Sequence, residues 1–114
     1  MNIIDQLYQV LQERKSANAQ KSYVASLYEK GAPKISEKIR EEAQEVIAEI
    51  MALEKDAYKK DVRESLKNEA ADLIFHLWVA LAHYDITPQD IAGVLEKRFG
   101  TSGHEEKASR GKKS

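Results

Sequence analysis

Residues 34–53, KISEKIREEAQEVIAEIMAL, place Ile35, Ile39, Val46, Ile50 and Leu53 on one helical stripe and leave charged side chains over the other faces. Residues 64–84, ESLKNEAADLIFHLWVALAHY, carry a comparable stripe of Leu66, Ala70, Leu73, Leu77, Ala80, Leu81 and Tyr84. Two long amphipathic helices joined by a short polar segment predict an antiparallel hairpin, because a short connection returns the chain alongside itself. Pro33 suits the first position of the earlier helix, where a missing N–H costs nothing. Asp61, with Glu64 three residues on, reads as a capping box opening the later one.

Upstream, Ile3, Ile4, Leu7, Val10 and Leu11 recur at steps of three and four and predict a helix over residues 2–18. Residues 18–33 mix polar side chains with Tyr23, Val24, Leu27 and Tyr28 and end in Lys30-Gly31-Ala32-Pro33. They read as an irregular connector with room for one helical turn. Downstream, Thr87-Pro88-Gln89-Asp90 supplies an N-cap hydroxyl, a proline at the first helical position and an acid at the third, so a last helix runs from there to Phe99 and stops at Gly100. The expected fold is all-α: an antiparallel bundle of about four helices over residues 1–100, completed by homodimerisation. Residues 101–114, with four Lys or Arg against two Glu, are expected to form a basic, flexible tail.

Composition narrows the function classes. With 114 residues the chain is expected to be one domain. Hydrophobic residues make up 42% and charged residues 32%, with 5 Gly and 2 Pro, which argues against disorder and against a many-turned β-sandwich. A net charge of -1 provides no global attraction to nucleic acid or an anionic membrane. The absence of cysteine excludes thiolate metal sites, iron–sulfur clusters and cysteine nucleophiles, and fits a reducing, cytoplasmic setting. Asp5 interrupts the apolar start that a signal peptide would need, and no run reaches the roughly 18 apolar residues of a membrane span. The five glycines stand apart from one another, which excludes a Gly-rich phosphate loop.

The informative feature is acidic. Glu41, Glu42 and Glu45 fan along one edge of the first stripe, and Glu69 and Asp72 lie on the corresponding edge of the second. If the helices run antiparallel with stripes facing, both edges project to the same side and five carboxylates converge; parallel packing would separate them. Crowded carboxylates raise one another's pKa unless a cation neutralises them, and an all-oxygen donor set suits Mg²⁺ or Mn²⁺. The bland alternative is a solvated acidic surface paired with Lys38, Arg40 and Lys67 at helical spacing. Lys21, Lys30, Lys34, Lys38 and Arg40 precede or interleave the first acidic motif and are candidate phosphate contacts. Tyr23 is a candidate ligand contact, with packing as the alternative. His76, one turn after Asp72, suits an orienting hydrogen bond or an interface better than ligation. His83 and His104 are given no chemistry. Phe75 and Trp78 lie off the deepest stripe and read as exposed aromatics at a subunit interface.

The segments SYVASLYEKGAPKISEKIREEAQEV, NEAADLIFHLWVAL and ITPQDIAGVLEKRFGTSGHEEKASR resemble the phosphoribosyl-ATP pyrophosphatase family within the all-α NTP pyrophosphatase (MazG-like) superfamily, over about residues 4–110. The two acidic motifs mark the superfamily. Ser22-Tyr23, Glu29-Lys30-Gly31, Lys34-Ile35 and the stretch from Gly100 to Ala108 narrow the resemblance to this family. It implies hydrolysis of the α–β phosphoanhydride of phosphoribosyl-ATP to phosphoribosyl-AMP and pyrophosphate, the second step of histidine biosynthesis, on a helical homodimer with Mg²⁺. It further implies that Glu42, Glu45, Glu69 and Asp72 form the metal shell, with Glu41 a further ligand or the group orienting water. Lys30, Lys34 and Lys38 match family lysines and become candidate phosphate contacts. Many relatives are fused to a cyclohydrolase, and this chain is expected to be the stand-alone form. Two rival readings remain: a housecleaning dNTP pyrophosphatase of the same superfamily, and a non-catalytic helical dimerisation module.

Overall fold

Residues 32–55 and 60–83 form two helices of 24 residues each, and these pack along one another as a hairpin that is the spine of the molecule. At 1.5 Å per residue each is roughly 36 Å long. The computed structural model describes residues 2–99, arranged as α1 (Ile3–Glu13), a 3-10 turn (Arg14–Ser16), α2 (Tyr23–Lys30), α3 (Ala32–Lys55), α4 (Lys60–His83) and α5 (Pro88–Phe99). No strand occurs among the described residues, and none of their helices is long and apolar enough to cross a membrane. The chain is all-α, as expected. The helix stop at Gly100 and the tail over 101–114 lie outside the described residues.

The stretch 18–33 departs from expectation, since most of it is the two-turn helix α2. Ser22 is its N-cap, with Oγ accepting from the Ala25 N–H at 3.1 Å, and Val24, Ala25 and Leu27 are buried. Gly31 closes α2 through its N–H to the Leu27 carbonyl at 2.8 Å. Its own carbonyl accepts from Lys34 and Ile35, which opens α3. One residue thus ends one helix and starts the next at φ +76, a conformation that favours glycine. Pro33 sits just inside the start of α3, one position later than expected. The capping box at Asp61 does not form: Lys59 occupies the N-cap, Asp61 accepts from the adjacent Val62 N–H, and Glu64 pairs with Lys67 at 2.8 Å. The one at α5 does, with Thr87 Oγ1 accepting from Asp90 N–H at 3.1 Å and Asp90 Oδ2 accepting from Thr87 N–H at 2.9 Å.

The core gathers Leu11, Val24, Leu27, Ile35, Trp78, Val79 and Ala82 where α1 and α2 close over one end of the hairpin. Trp78 is therefore a core residue, packed edge-on against Tyr8 at 6.2 Å, and not an exposed aromatic. In this half of α4 the buried face has rotated away from the expected stripe. Val79 and Ala82 are wholly buried, while Leu77 and Tyr84 are 44% and 62% exposed, because α1 and α2 cover a flank that α3 does not. Truncating Leu11 to Ala would cost on the order of 2–5 kcal/mol by leaving a cavity among rigid neighbours. Asp85, at φ 57, turns the chain from α4 toward α5 and accepts from Lys15 at 2.7 Å and Gln12 at 3.1 Å, tying that turn to the end of α1.

Candidate metal centre and its flanking cavity

Three carboxylates meet where α3 and α4 face each other midway along the hairpin. Ligand oxygens of Glu42, Glu69 and Asp72 all lie within 4.8 Å of one another. Moving three residues forward on α3, from Glu42 to Glu45, is matched by moving three back on α4, from Asp72 to Glu69. Glu42 faces the Asp72 charge, and Glu45 is within hydrogen-bonding reach of Glu69. That inverse register is the mark of antiparallel helices, the condition on which convergence depends.

The four acids are not equivalent. Glu42 is buried, Glu69 half-buried, and Glu45 and Asp72 exposed. Desolvation, then contact with Glu45 and the charges of Glu45 and Asp72, pushes the Glu42 carboxyl above its usual range. Contact with Glu45, followed by desolvation and the Glu45 and Glu42 charges, pushes Glu69 up to about 7. Glu42 Oε2 and Glu69 Oε2 are both buried without a hydrogen-bond partner. Buried polar atoms are normally paired, so two orphaned carboxylate oxygens at one spot mark a place for a cation. Three carboxylate oxygens gathered this closely could ligate one small divalent ion after modest side-chain adjustment. The donor set is carboxylate oxygen alone and fits a hard divalent ion such as Mg²⁺ or Mn²⁺.

Glu41 stands apart from this group. It is exposed and pairs with Lys38 at 3.0 Å, and that hydrogen bond and charge hold its carboxyl below the usual range. Lys34 is paired with Glu37 at 3.5 Å, and Lys30 lies exposed in the last turn of α2. Lys38 sits close enough to Tyr23 for each to feel the other's charge.

Tyr23 and His76 form a contact that periodicity does not announce. The Tyr23 hydroxyl lies 2.7 Å from His76 Nε2, and His76 Nδ1 lies 2.8 Å from the Asp72 carbonyl oxygen. A carbonyl can only accept, so Nδ1 carries the proton, and in the neutral ring Nε2 accepts from Tyr23. His76 is thus a buried hydrogen-bonding residue, the first of the two roles expected of it, and it ties α2 to the turn of α4 that bears Asp72. On the other side of Tyr23 a cavity of about 520 Å³ is lined by Arg14, Asn18, Lys21, Ser22, Tyr23 and Phe75, among others. Arg14 and Asn18 lie outside the residues that the sequence pattern singles out, because their meeting at one cavity depends on α2 folding back beside the 3-10 turn.

Comparison with known proteins places the chain in a family. The family model for phosphoribosyl-ATP pyrophosphohydrolase matches residues 4–99. The chain is 49% identical over 109 residues to the phosphoribosyl-ATP pyrophosphatase of Geobacter sulfurreducens, covering 96% of this chain and 94% of that protein. It is 48% identical over 111 residues to the protein of the same name from Geobacter metallireducens, covering 97% and 94%, and 48% identical to that from Hydrogenovibrio crunogenus, covering 97% and 95%. The chain, with its carboxylate-lined helical hairpin, belongs to the phosphoribosyl-ATP pyrophosphohydrolase family.

Proposed function

We propose that this protein hydrolyses the α–β phosphoanhydride of phosphoribosyl-ATP, releasing pyrophosphate and phosphoribosyl-AMP, as the second step of histidine biosynthesis in the cytoplasm. The observation that carries the reading is the meeting of Glu42, Glu69 and Asp72, with two buried oxygens left unpaired, in a chain of this family.

Glu42, Glu45, Glu69 and Asp72 would hold Mg²⁺, with Mn²⁺ as the alternative ion. A bound divalent cation supplies charge neutralisation at phosphate oxygens and lowers the pKa of a coordinated water. The protein's own groups do the rest. Burial of Glu42 keeps its carboxylate in one place, since a buried side chain between two packed helices has few rotamers open to it. Glu45, exposed like Asp72 but within reach of both Glu42 and Glu69, is the member placed to accept a proton from water. Glu41 acts through Lys38, holding that ammonium beside Tyr23 where a polyphosphate would pass. Lys34, close enough for its charge to act on Glu41, and Lys30 in the last turn of α2 are the further phosphate contacts.

The working form is a homodimer. Ile74 and Leu77 of α4, Ile3 and Val10 of α1 and Val94, Leu95 and Phe99 of α5 are exposed. An apolar groove of about 460 Å³ lies between α1 and α4. Open apolar stripes of this extent on a small helical protein are covered most simply by a second copy. Light scattering reads the oligomeric state directly.

The deciding experiment follows pyrophosphate release from phosphoribosyl-ATP with Mg²⁺, beside ATP and a dNTP panel, with and without chelator. Metal-dependent turnover selective for phosphoribosyl-ATP is the expected result. Preference for dNTPs would reassign the chain to a housecleaning pyrophosphatase, and no turnover of any nucleotide would leave a dimerisation module.

A further inference from the structure

The cavity of about 520 Å³ beside Tyr23 gathers positive charge without any carboxylate in its lining. Lys15, Lys34, Lys38 and Lys67 each have an acidic partner, whereas Arg14 and Lys21 have none among the described residues. Two further donors face the same space. Asn18 Oδ1 accepts from the Gln20 N–H, which leaves its NH₂ group to donate outward, and Ser22 Oγ accepts from Ala25 N–H, which leaves its O–H to donate. A lining with two cations, an amide and a hydroxyl, and no acid, matches a phosphate.

Its position relative to the carboxylates gives this meaning. Tyr23 belongs to both places: its ring lines the cavity and its hydroxyl is fixed on His76, one turn from Asp72. Phe75 also lines the cavity and packs edge-on against His76 at 5.2 Å. A single layer of side chains therefore divides a site for metal-bound polyphosphate from a second site for an anion. Phosphoribosyl-ATP is a molecule with two anionic ends, a triphosphate and a ribose phosphomonoester, and this inference rests on that substrate reading. We infer that the cavity is the phosphomonoester subsite: Arg14 and Lys21 bind the 5-phosphate of the phosphoribosyl group while the carboxylate-held metal takes the triphosphate. Ordinary nucleotides lack the second anion, so this subsite is the source of selectivity against ATP and dNTPs, which the carboxylates alone cannot supply.

The test uses ribose 5-phosphate, which carries the proposed group and nothing for the metal centre. The full chain, without metal, is titrated with ribose 5-phosphate and separately with adenosine, following backbone amide shifts. The wild type is compared with the Arg14→Gln/Lys21→Gln double variant. Both side chains are exposed and unpaired, so helical circular dichroism is expected to be unchanged. The expected result is saturable ribose 5-phosphate binding that shifts residues 18–24 and weakens about tenfold or more in the variant, the loss of charge-assisted hydrogen bonds. With Mg²⁺, KM for phosphoribosyl-ATP is then expected to rise by a similar factor while kcat changes much less. The proposal is overturned by no wild-type binding, by equal binding in the variant, or by adenosine occupying residues 18–24 in place of ribose 5-phosphate. If ribose 5-phosphate binds as expected but phosphoribosyl-ATP is not hydrolysed, the subsite stands and the substrate assignment falls.

Discussion

The Tyr23 hydroxyl donates to His76 Nε2 at 2.7 Å, and through that one bond the first turn of α2 is fastened to the segment of α4 that carries Asp72. Tyr23 is half exposed and His76 is 6% exposed, so the two partners stand to lose different amounts. Tyr23→Phe leaves a buried ring nitrogen without a donor and is expected to cost about 1–2 kcal/mol in urea unfolding. His76→Leu leaves a hydroxyl that water can reach, so its cost comes from the lost Asp72 carbonyl contact and from altered packing. In a double-mutant cycle the activity losses should be strongly non-additive, because both variants remove the same Tyr23–His76 hydrogen bond. Additive losses would mean that His76 acts independently of Tyr23.

The carboxylates make opposite demands on folding and on catalysis. Glu42→Gln and Asp72→Asn remove charge from a crowded group and should leave helical circular dichroism intact, with melting temperature unchanged or raised in chelator. Turnover should fall on the order of 10²-fold or more, as expected when a charge-stabilising group is lost from the reacting centre. Glu41→Gln is expected to behave differently, raising KM by freeing Lys38 and sparing most of kcat. Full activity in either Glu42→Gln or Asp72→Asn would remove that residue from the metal shell.

Two glycines should respond to alanine with opposite signs. Nothing crowds a Cβ at Gly31, whose nearest neighbour would be Pro33 Cδ at 4.0 Å, but its φ of +76 is strained for any other residue. Gly31→Ala is expected to destabilise by about 1–2 kcal/mol. Gly93 lies inside α5 with open space around it, so Gly93→Ala should stabilise by about 0.5–1 kcal/mol. Denaturant midpoints at constant m-value read both. A harmless Gly31→Ala would show that the junction between α2 and α3 can be rebuilt without the left-handed residue.

What could be read in advance follows from what each signal requires. The hairpin of α3 and α4 is legible because 24-residue helices repeat their apolar period many times, and the acids are legible because their spacing puts them on matching edges. Helix α2 has eight residues, too few for periodicity to show, and the Gly31-Ala32-Pro33 punctuation reads as a loop although a single glycine joins two helices. Ser22 ahead of Val24 and Leu27 was the available sign. The rotated face of α4 has a similar origin. Burial of Trp78 in preference to Leu77 depends on where α1 and α2 land, which no property of α4 alone determines. The Tyr23–His76 bond spans 53 positions and depends on the same docking.

The raised Glu69 carboxyl links proton, metal and stability. Its folded value of about 7 lies above its ordinary 4.5, so between those pH values the folded protein holds more protons than the unfolded chain. Stability of the metal-free protein should therefore decline as pH rises from 4.5 through 7 and level off above. Glu42, also raised, acts in the same direction. A divalent cation binds the deprotonated carboxylates and must compete with protons below pH 7, so Mg²⁺ should raise the melting temperature more at pH 8 than at pH 5. Thermal melts at both pH values, in chelator and in Mg²⁺, check this. Glu69→Gln should flatten the decline in chelator and blunt the Mg²⁺ response at pH 8. If the wild type and Glu69→Gln share one pH profile in chelator, the coupling of Glu69 to Glu45 and Glu42 is not what sets its protonation.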